Sequence, residues 1–138
     1  VSIDRIDREA SIRLLVDHYE HPRNREPMPE ADIQVTGGDP GCGHEFTMYA
    51  RVTPDGYINR VTFEGEGCTI AIAAASYLTD VVCGMSLAGV DELPFDTLIE
   101  ALGREVVLTR PLCATLALGT LKQGVHEFRM RRAREQAE

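Results

Sequence analysis

Residues 69–79 read Thr-Ile-Ala-Ile-Ala-Ala-Ala-Ser-Tyr-Leu-Thr, without a single charge and mostly small and apolar. A helix of this composition has no polar face to turn to water, so it has to be buried on most of its sides. Whatever else the chain forms must be arranged around it. Gly65-Glu66-Gly67 breaks the segment before this helix, Cys68 stands at its first turn, and Gly84 ends it.

The flanking segments supply the covering elements. Over residues 4–20 the side chains of Ile6, Ala10, Leu14, Leu15 and His18/Tyr19 recur at steps of three and four, which predicts an amphipathic helix stopped by Pro22. Residues 21–30 hold three prolines and several charges, an exposed and extended connection, and lead to a short strand at residues 33–36. Gly37-Gly38-Asp39-Pro40-Gly41-Cys42-Gly43-His44 has four glycines and a proline in eight positions and is expected to be a loop built around a cysteine. Residues 46–53 and 57–64 are rich in β-branched and aromatic side chains, and Pro54-Asp55-Gly56 between them has the chemistry of a hairpin turn. Short helices are expected at residues 86–93 and at 95–102, the second stopping at Gly103. After Val106-Val107-Leu108 and Pro111, a last helix should run from about Ala114 to near Arg134, with Cys113 at its start. The fold class is therefore α+β: a small antiparallel three-stranded sheet with helices packed on one face, forming one domain over residues 1–138.

The formal net charge of -8 argues against affinity for nucleic acid or an anionic membrane, both of which need a basic surface. Proteins or metal ions are the expected partners. No run approaches the ~18 apolar residues of a membrane span, and the charged first ten residues do not read as a signal peptide, so the expected location is cytoplasmic. Lys122 is the only lysine, which sets lysine-nucleophile chemistry aside.

Four cysteines in a chain with an ordinary core are not a secreted disulfide framework, and reduced thiols are the better reading. Cys68 and Cys113 precede or open helices, where backbone N–H groups and the helix dipole favour thiolate over thiol. Cys42 lies in a glycine loop with His44 two residues on. Three sulfurs and one nitrogen suit zinc or a thiolate-held iron cluster. Spacings of 26 and 45 residues match no zinc finger, so the residues alone leave inert burial and metal ligation both open. A Cys-His hydrolase is disfavoured: Cys42 and His44 are two residues apart and no third group orients the base.

Four stretches resemble the IscU, SufU and NifU N-terminal family of iron–sulfur scaffold proteins. Asp17-His18-Tyr19-Glu20-His21-Pro22-Arg23-Asn24 is similar to its "DHYxxPRN" opening, and Pro40-Gly41-Cys42-Gly43 to its first cysteine motif. Phe63-Glu64-Gly65-Glu66-Gly67-Cys68-Thr69-Ile70-Ala71 resembles "GxGCxIS", and Arg110-Pro111-Leu112-Cys113-Ala114-Thr115-Leu116 the SufU branch's "RxxCATL". The motifs stand in family order, and the match runs from about Leu15 to Val125. The resemblance implies a scaffold and carrier, not an enzyme turning over a small substrate. Such a protein builds a transient 2Fe-2S cluster from iron and from sulfur delivered by a cysteine desulfurase, and passes it to iron–sulfur acceptor proteins, as a monomer or a cluster-linked oligomer. It assigns Cys42, Cys68 and Cys113 as cluster ligands and Cys113 as sulfur acceptor, while His44, two residues after Cys42, is expected as a further metal ligand from its place in the Cys-Gly-His run. The alternative is a zinc-dependent, SufU-like sulfur acceptor with sulfurtransferase activity, holding zinc at the same site; a third reading is a structural zinc site in an interaction module.

Four departures from the family pattern qualify what is carried over. His44 replaces the aspartate usual two residues after the first cysteine, which predicts firmer metal retention. Leu108-Thr109-Arg110-Pro111-Leu112 stands where the IscU branch has its chaperone motif "LPPVK". The 45 residues between Cys68 and Cys113 are too few for the SufU insertion. Cys83 replaces a lysine common in relatives and is expected to be a packed or semi-exposed thiol, not a ligand, since 15 residues of helix place it about 22 Å from Cys68. His18 and His21 are expected to make structural hydrogen bonds, His126 to be solvated, and Arg129, Arg131, Arg132 and Arg134 to form a solvated helix face.

Overall fold

A computed structural model describes residues 3–39, 43–104 and 111–137. In chain order the elements are α1 (Ile3–Glu20), β1 (Ile33–Asp39), β2 (His44–Val52), β3 (Ile58–Glu66), α2 (Thr69–Val82), α3 (Leu87–Glu92), α4 (Phe95–Leu102) and α5 (Pro111–Ala137). The three strands form an antiparallel sheet in the order β1-β2-β3, with Val35 opposite Met48 and Met48 opposite Phe63. Helices pack against this sheet, the α+β arrangement expected from the sequence.

Alternation along the strands decides which side is covered. Phe46, Met48 and Ala50 of β2 are fully buried on one face, next to Ile33 and Val35 of β1 and Val61 and Phe63 of β3. The largely apolar α2 lies on this layer with Ala71, Ala73, Ala74, Ala75, Leu78 and Val82 at 0–1% exposure, and α1, α4 and α5 close around it. Among the described residues no helix is long and apolar enough to cross a membrane.

The polar atoms of α2 are matched by the segment that follows α1. The Ser76 hydroxyl meets His18 Nδ1 at 2.7 Å and accepts the Arg23 backbone N–H at 2.8 Å. Asn24 sits in the left-handed region (φ 58°), donates its side-chain amide to Thr79 Oγ1 at 3.0 Å, and accepts the Phe63 N–H at 3.0 Å. That last bond occupies part of the open edge of β3. Arg23 also pairs with Asp17 at 2.5 Å. The stretch from Asp17 to Asn24 thus fastens α1, α2 and β3 together, and His18 serves structure.

Three boundaries differ from expectation. Gly37, Gly38 and Asp39 continue β1 instead of opening a loop, paired with Phe46, Glu45 and His44. Gly65 and Glu66 continue β3 instead of breaking it. Both extensions need glycine: a Cβ on Gly38 (φ 116°) would stand 2.3 Å from the His44 carbonyl oxygen, and one on Gly65 (φ 127°) 2.0 Å from that of Glu45. Glycines read as breakers are here the residues that allow close pairing. The last helix begins at Pro111, three residues early, because proline suits a first helical position. The expected apolar stretch Val106-Val107-Leu108 lies outside the described residues.

Burial pushes the His18 imidazole below its ordinary value of 6.5, and the nearby Arg23 charge acts in the same direction. The unfolded chain therefore takes up a proton at His18 where the folded chain does not. The stabilisation is complete above 6.5 and is lost as pH falls toward the lower folded pKa. His18→Gln should lower the urea midpoint by less at about pH 5.5 than at about pH 7.5. An equal loss at the two pH values would contradict this role.

Candidate metal centre

Three elements end at one place. Cys68 is the residue before α2, in extended conformation (φ -73°, ψ 171°). Gly67 precedes it and packs closely on the core: a Cβ there would lie 3.1 Å from both the Phe46 ring and Ala71, tighter than ordinary contact. His44 opens β2 directly after Gly43 (φ 77°) and, two residues before Phe46, lies on the covered face. Cys113 lies in the first turn of α5 behind Pro111.

One ligand atom from each of His44, Cys68 and Cys113 lies within 4.8 Å of the other two, and His44 Nε2 is 3.6 Å from Cys113 Sγ. With Zn–N near 2.0 Å and Zn–S near 2.3 Å, the N···S edge of a tetrahedron is about 3.6 Å and the S···S edge about 3.8 Å. The donors and spacing fit a tetrahedral thiolate and imidazole site. All three residues are half-buried, which keeps one side open.

Electrostatics favour thiolate here. Burial is the largest influence on Cys68 and raises its thiol, but the N–H groups of Ala71 and Ile70 at the start of α2, with His44 and Cys113, outweigh it and bring Cys68 down to about 7. The sulfur does not make a full capping hydrogen bond, so the helix end acts through its field. A groove of about 680 Å³ opens beside Cys113 and His44, lined by Gly37, Phe95, Leu112 and Leu116 among others. Leu112 is 82% exposed beside a ligand, the one signal from which this groove could have been anticipated.

Residues 12–135 match the family model described as NifU-like N terminal domain. The chain belongs to this family. Relatives include "Iron sulfur cluster assembly protein 1, mitochondrial" of Yarrowia lipolytica, 33% identical over 92% of this chain and 71% of that protein. "Iron-sulfur cluster assembly scaffold protein IscU" of Buchnera aphidicola is 29% identical over 89% of this chain and 98% of that one. Among solved structures, a nitrogen-fixing NifU-like protein (N-terminal) from Brucella abortus superimposes with a TM-score of 0.71 over 89% of this chain and 98% of that one, at 15% identity.

Within this NifU-like fold the remaining candidates fall elsewhere. Cys42 lies outside the described residues. Cys83 is exposed beyond the far end of α2 and donates its thiol to the Asn59 carbonyl at 3.4 Å. His21 and His126 are exposed. The arginines of α5 are more engaged than a solvated face: Arg129 pairs with Asp91 at 2.5 Å, and Arg131 and Arg132 donate to the carbonyls of Asp32 and Pro54 at 3.2 and 2.7 Å. They tie the C-terminal half of α5 to α3, to the residue before β1 and to the turn between β2 and β3. Lys122 donates to the Asp91 carbonyl and lies 4.9 Å over the Phe95 ring.

Two outcomes follow from this geometry. In metal-free protein, alkylation of Cys68 should rise with pH through a midpoint near 7, and His44→Ala should move that midpoint upward. A parent midpoint near 9 would contradict the account. Zinc bound after dialysis should be lost in Cys68→Ser and Cys113→Ser and kept in Cys83→Ser, measured by elemental analysis.

Proposed function

We propose that this chain is an iron–sulfur cluster assembly scaffold, with iron and a 2Fe-2S cluster as cargo at His44, Cys68 and Cys113, and Cys42 as the further ligand two residues before His44. The observation that carries the reading is the meeting of three ligand atoms within 4.8 Å, from residues far apart in sequence, in a chain of the NifU-like N terminal family. The relatives' names, scaffold and assembly protein, agree with it.

Cys113 is the proposed sulfur acceptor, since it borders the groove. Its thiolate attacks the outer sulfur of a persulfide on a cysteine desulfurase. A new S–S bond forms at Cys113, the donor's S–S bond breaks, and the donor cysteine leaves as thiolate, with no net oxidation. Reducing that sulfur to sulfide takes two electrons from an external electron-carrier protein. Iron–sulfur acceptor proteins then remove the cluster. Cys68, Cys83 and Cys113 form no disulfide with one another, which suits a reducing compartment, and we place the chain in the cytoplasm; the Yarrowia relative is named as mitochondrial.

Zinc at the same ligands is the second reading, favoured by His44: an imidazole nitrogen 3.6 Å from a thiolate sulfur matches the edge of a zinc tetrahedron. Here the protein accepts sulfur while Cys113 exchanges off the metal. Anaerobic purification followed by incubation with iron, cysteine and a desulfurase separates the two, with a two-electron reductant added when a chromophore is read and omitted when the protein mass is read. The scaffold reading expects a visible chromophore transferable to an apo-ferredoxin; the zinc reading expects retained zinc, no chromophore, and a mass gain of one sulfur on Cys113. Absence of both would reject the function.

His44→Asp should speed cluster release to an acceptor, because a hard carboxylate oxygen holds the metal less firmly than imidazole in this donor set. Identical transfer rates and unchanged metal content in parent and variant would remove His44 from the ligand set.

A further inference from the structure

The gap between His44 and Cys113 is a distance between the sheet and α5, and the contacts that set it lie outside the ligand set. Cys113, Ala117, Thr120 and Gly124 follow one another on α5 at steps of four, three and four residues, so they share one face. Ile33, Val35 and Gly37 alternate along β1 and so share one face of the sheet. Gly37 is paired with Phe46, and His44 is the next residue of β2 on that side. The two faces touch at two points, and at each the contact exists because one partner is glycine. A Cβ on Gly37 would lie 2.3 Å from Thr120 Oγ1 and 3.1 Å from both its Cβ and Cγ2. A Cβ on Gly124 would lie 2.6 Å from Val35 Cγ1 and 2.8 Å from Ile33 Cγ2.

Neither glycine is required by its backbone angles, since neither has positive φ. Their lack of a side chain serves close approach. In α5 a glycine is a poorer helix former than alanine, a loss which the approach has to offset. Turning the Thr120 side chain does not make room at Gly37, because its two branches and its Cβ all stand inside ordinary contact distance.

We infer that Gly37 and Gly124 are positioning residues of the centre: they hold β1 and α5 at the separation that brings His44 and Cys113 to one ion. The inference rests on reading His44, Cys68 and Cys113 as a metal site. The magnitudes support it. Restoring ordinary contact between a Gly37→Ala methyl and Thr120 opens the seam by roughly 1 Å, whereas bonds to a metal tolerate only about ±0.2 Å. Thr120 is two turns from Cys113, and Gly37 one step of the sheet face from His44, so helix and strand carry an opening to the ligands with little chain in between to absorb it.

The test uses cobalt(II) as spectroscopic probe, and a short bifunctional thiol reagent that joins Cys68 to Cys113 in metal-free protein, with the joined peptides identified by mass. Gly37→Ala should weaken cobalt binding about 10- to 100-fold, the range of other groups that orient ligands, and reduce the thiolate-to-cobalt absorption and the cross-link yield. Gly37→Ala/Thr120→Ala should recover most of the affinity, the absorption and the cross-link. Val82→Ala, at the far end of α2, should lower thermal stability and leave all three as in the parent. Should Gly37→Ala fail to fold, Gly124→Ala opens the second contact, and Val35→Ala together with Ile33→Ala, which removes both side-chain branches the new methyl would meet, compensates it. Parent-like cobalt binding and cross-linking in Gly37→Ala or Gly124→Ala would overturn the inference, as would no recovery in the compensated pairs or an equal loss in Val82→Ala. If the cross-link yields follow the expected order while the parent shows no thiolate-to-cobalt absorption, the seam stands and the metal reading falls.

Discussion

Helix α2 has almost no side chain that water would stabilise, and so its burial dictates where everything else goes. Its alanines let α1, α5 and β3 come close on several sides at once, and Leu78 and Val82 fill what the alanines leave. Among its buried residues the polar ones are Ser76 and Thr79, both hydroxyls. An unpartnered buried hydroxyl costs on the order of 1–3 kcal/mol, so the segment from His18 to Asn24 has to be where it is. Ser76 receives His18 and the Arg23 N–H, and Thr79 receives Asn24. The same segment then covers part of the β3 edge through the Asn24 carbonyl.

A central helix surrounded on its sides has only its ends to offer. The C-terminal end leads through Cys83 and Gly84 to the surface, where the Gly84 N–H is taken by the Ile58 carbonyl. At the N-terminal end, unpaired N–H groups are a local positive field among apolar neighbours, and Cys68 stands in it. The first turn of α5 brings Cys113 to the same place, so the starts of two helices meet a strand that opens with His44. A site made this way favours thiolates through the field of a helix start.

How much of this was legible in the sequence differs between covalent pattern and distance. Residues 69–79 could only be a buried helix, and Pro54-Asp55-Gly56 only a turn. The glycines were harder. Gly37, Gly38 and Gly65 carry the composition of breakers, and whether a glycine breaks a strand or admits a neighbour depends on what stands opposite, here the carbonyls of His44 and Glu45 and the side chain of Thr120. That information is tertiary. The ligands were legible as residue types and through the family's motifs, whereas the 3.6 Å between His44 and Cys113 depends on a sheet-to-helix distance that no local pattern encodes. The arginines of α5 failed for the same reason: their partners, Asp91, Asp32 and Pro54, are distant in sequence.

A carrier has to hold its cargo and give it up, and the two sides of this centre divide those requirements. On the inner side the ligands are fixed by core contacts: Gly67 against Phe46, Gly37 against Thr120, and Gly124 against Ile33 and Val35. On the outer side lies the groove, with Leu112 and Phe95 exposed and, among the described residues, no Asp, Glu, Lys or Arg lining it. Ligand exchange is easiest at the residue bordering both, and that residue is Cys113, anchored by α5 yet facing the groove. Cys68 is held from behind by α2 and has no comparable freedom. If the centre opens in stages, Cys113 should leave first, with Cys68 holding the metal in place while sulfur or an acceptor thiolate enters by the groove. The rigidity of the seam then works in favour of exchange, because Cys113 returns to a position that the glycines have kept for it.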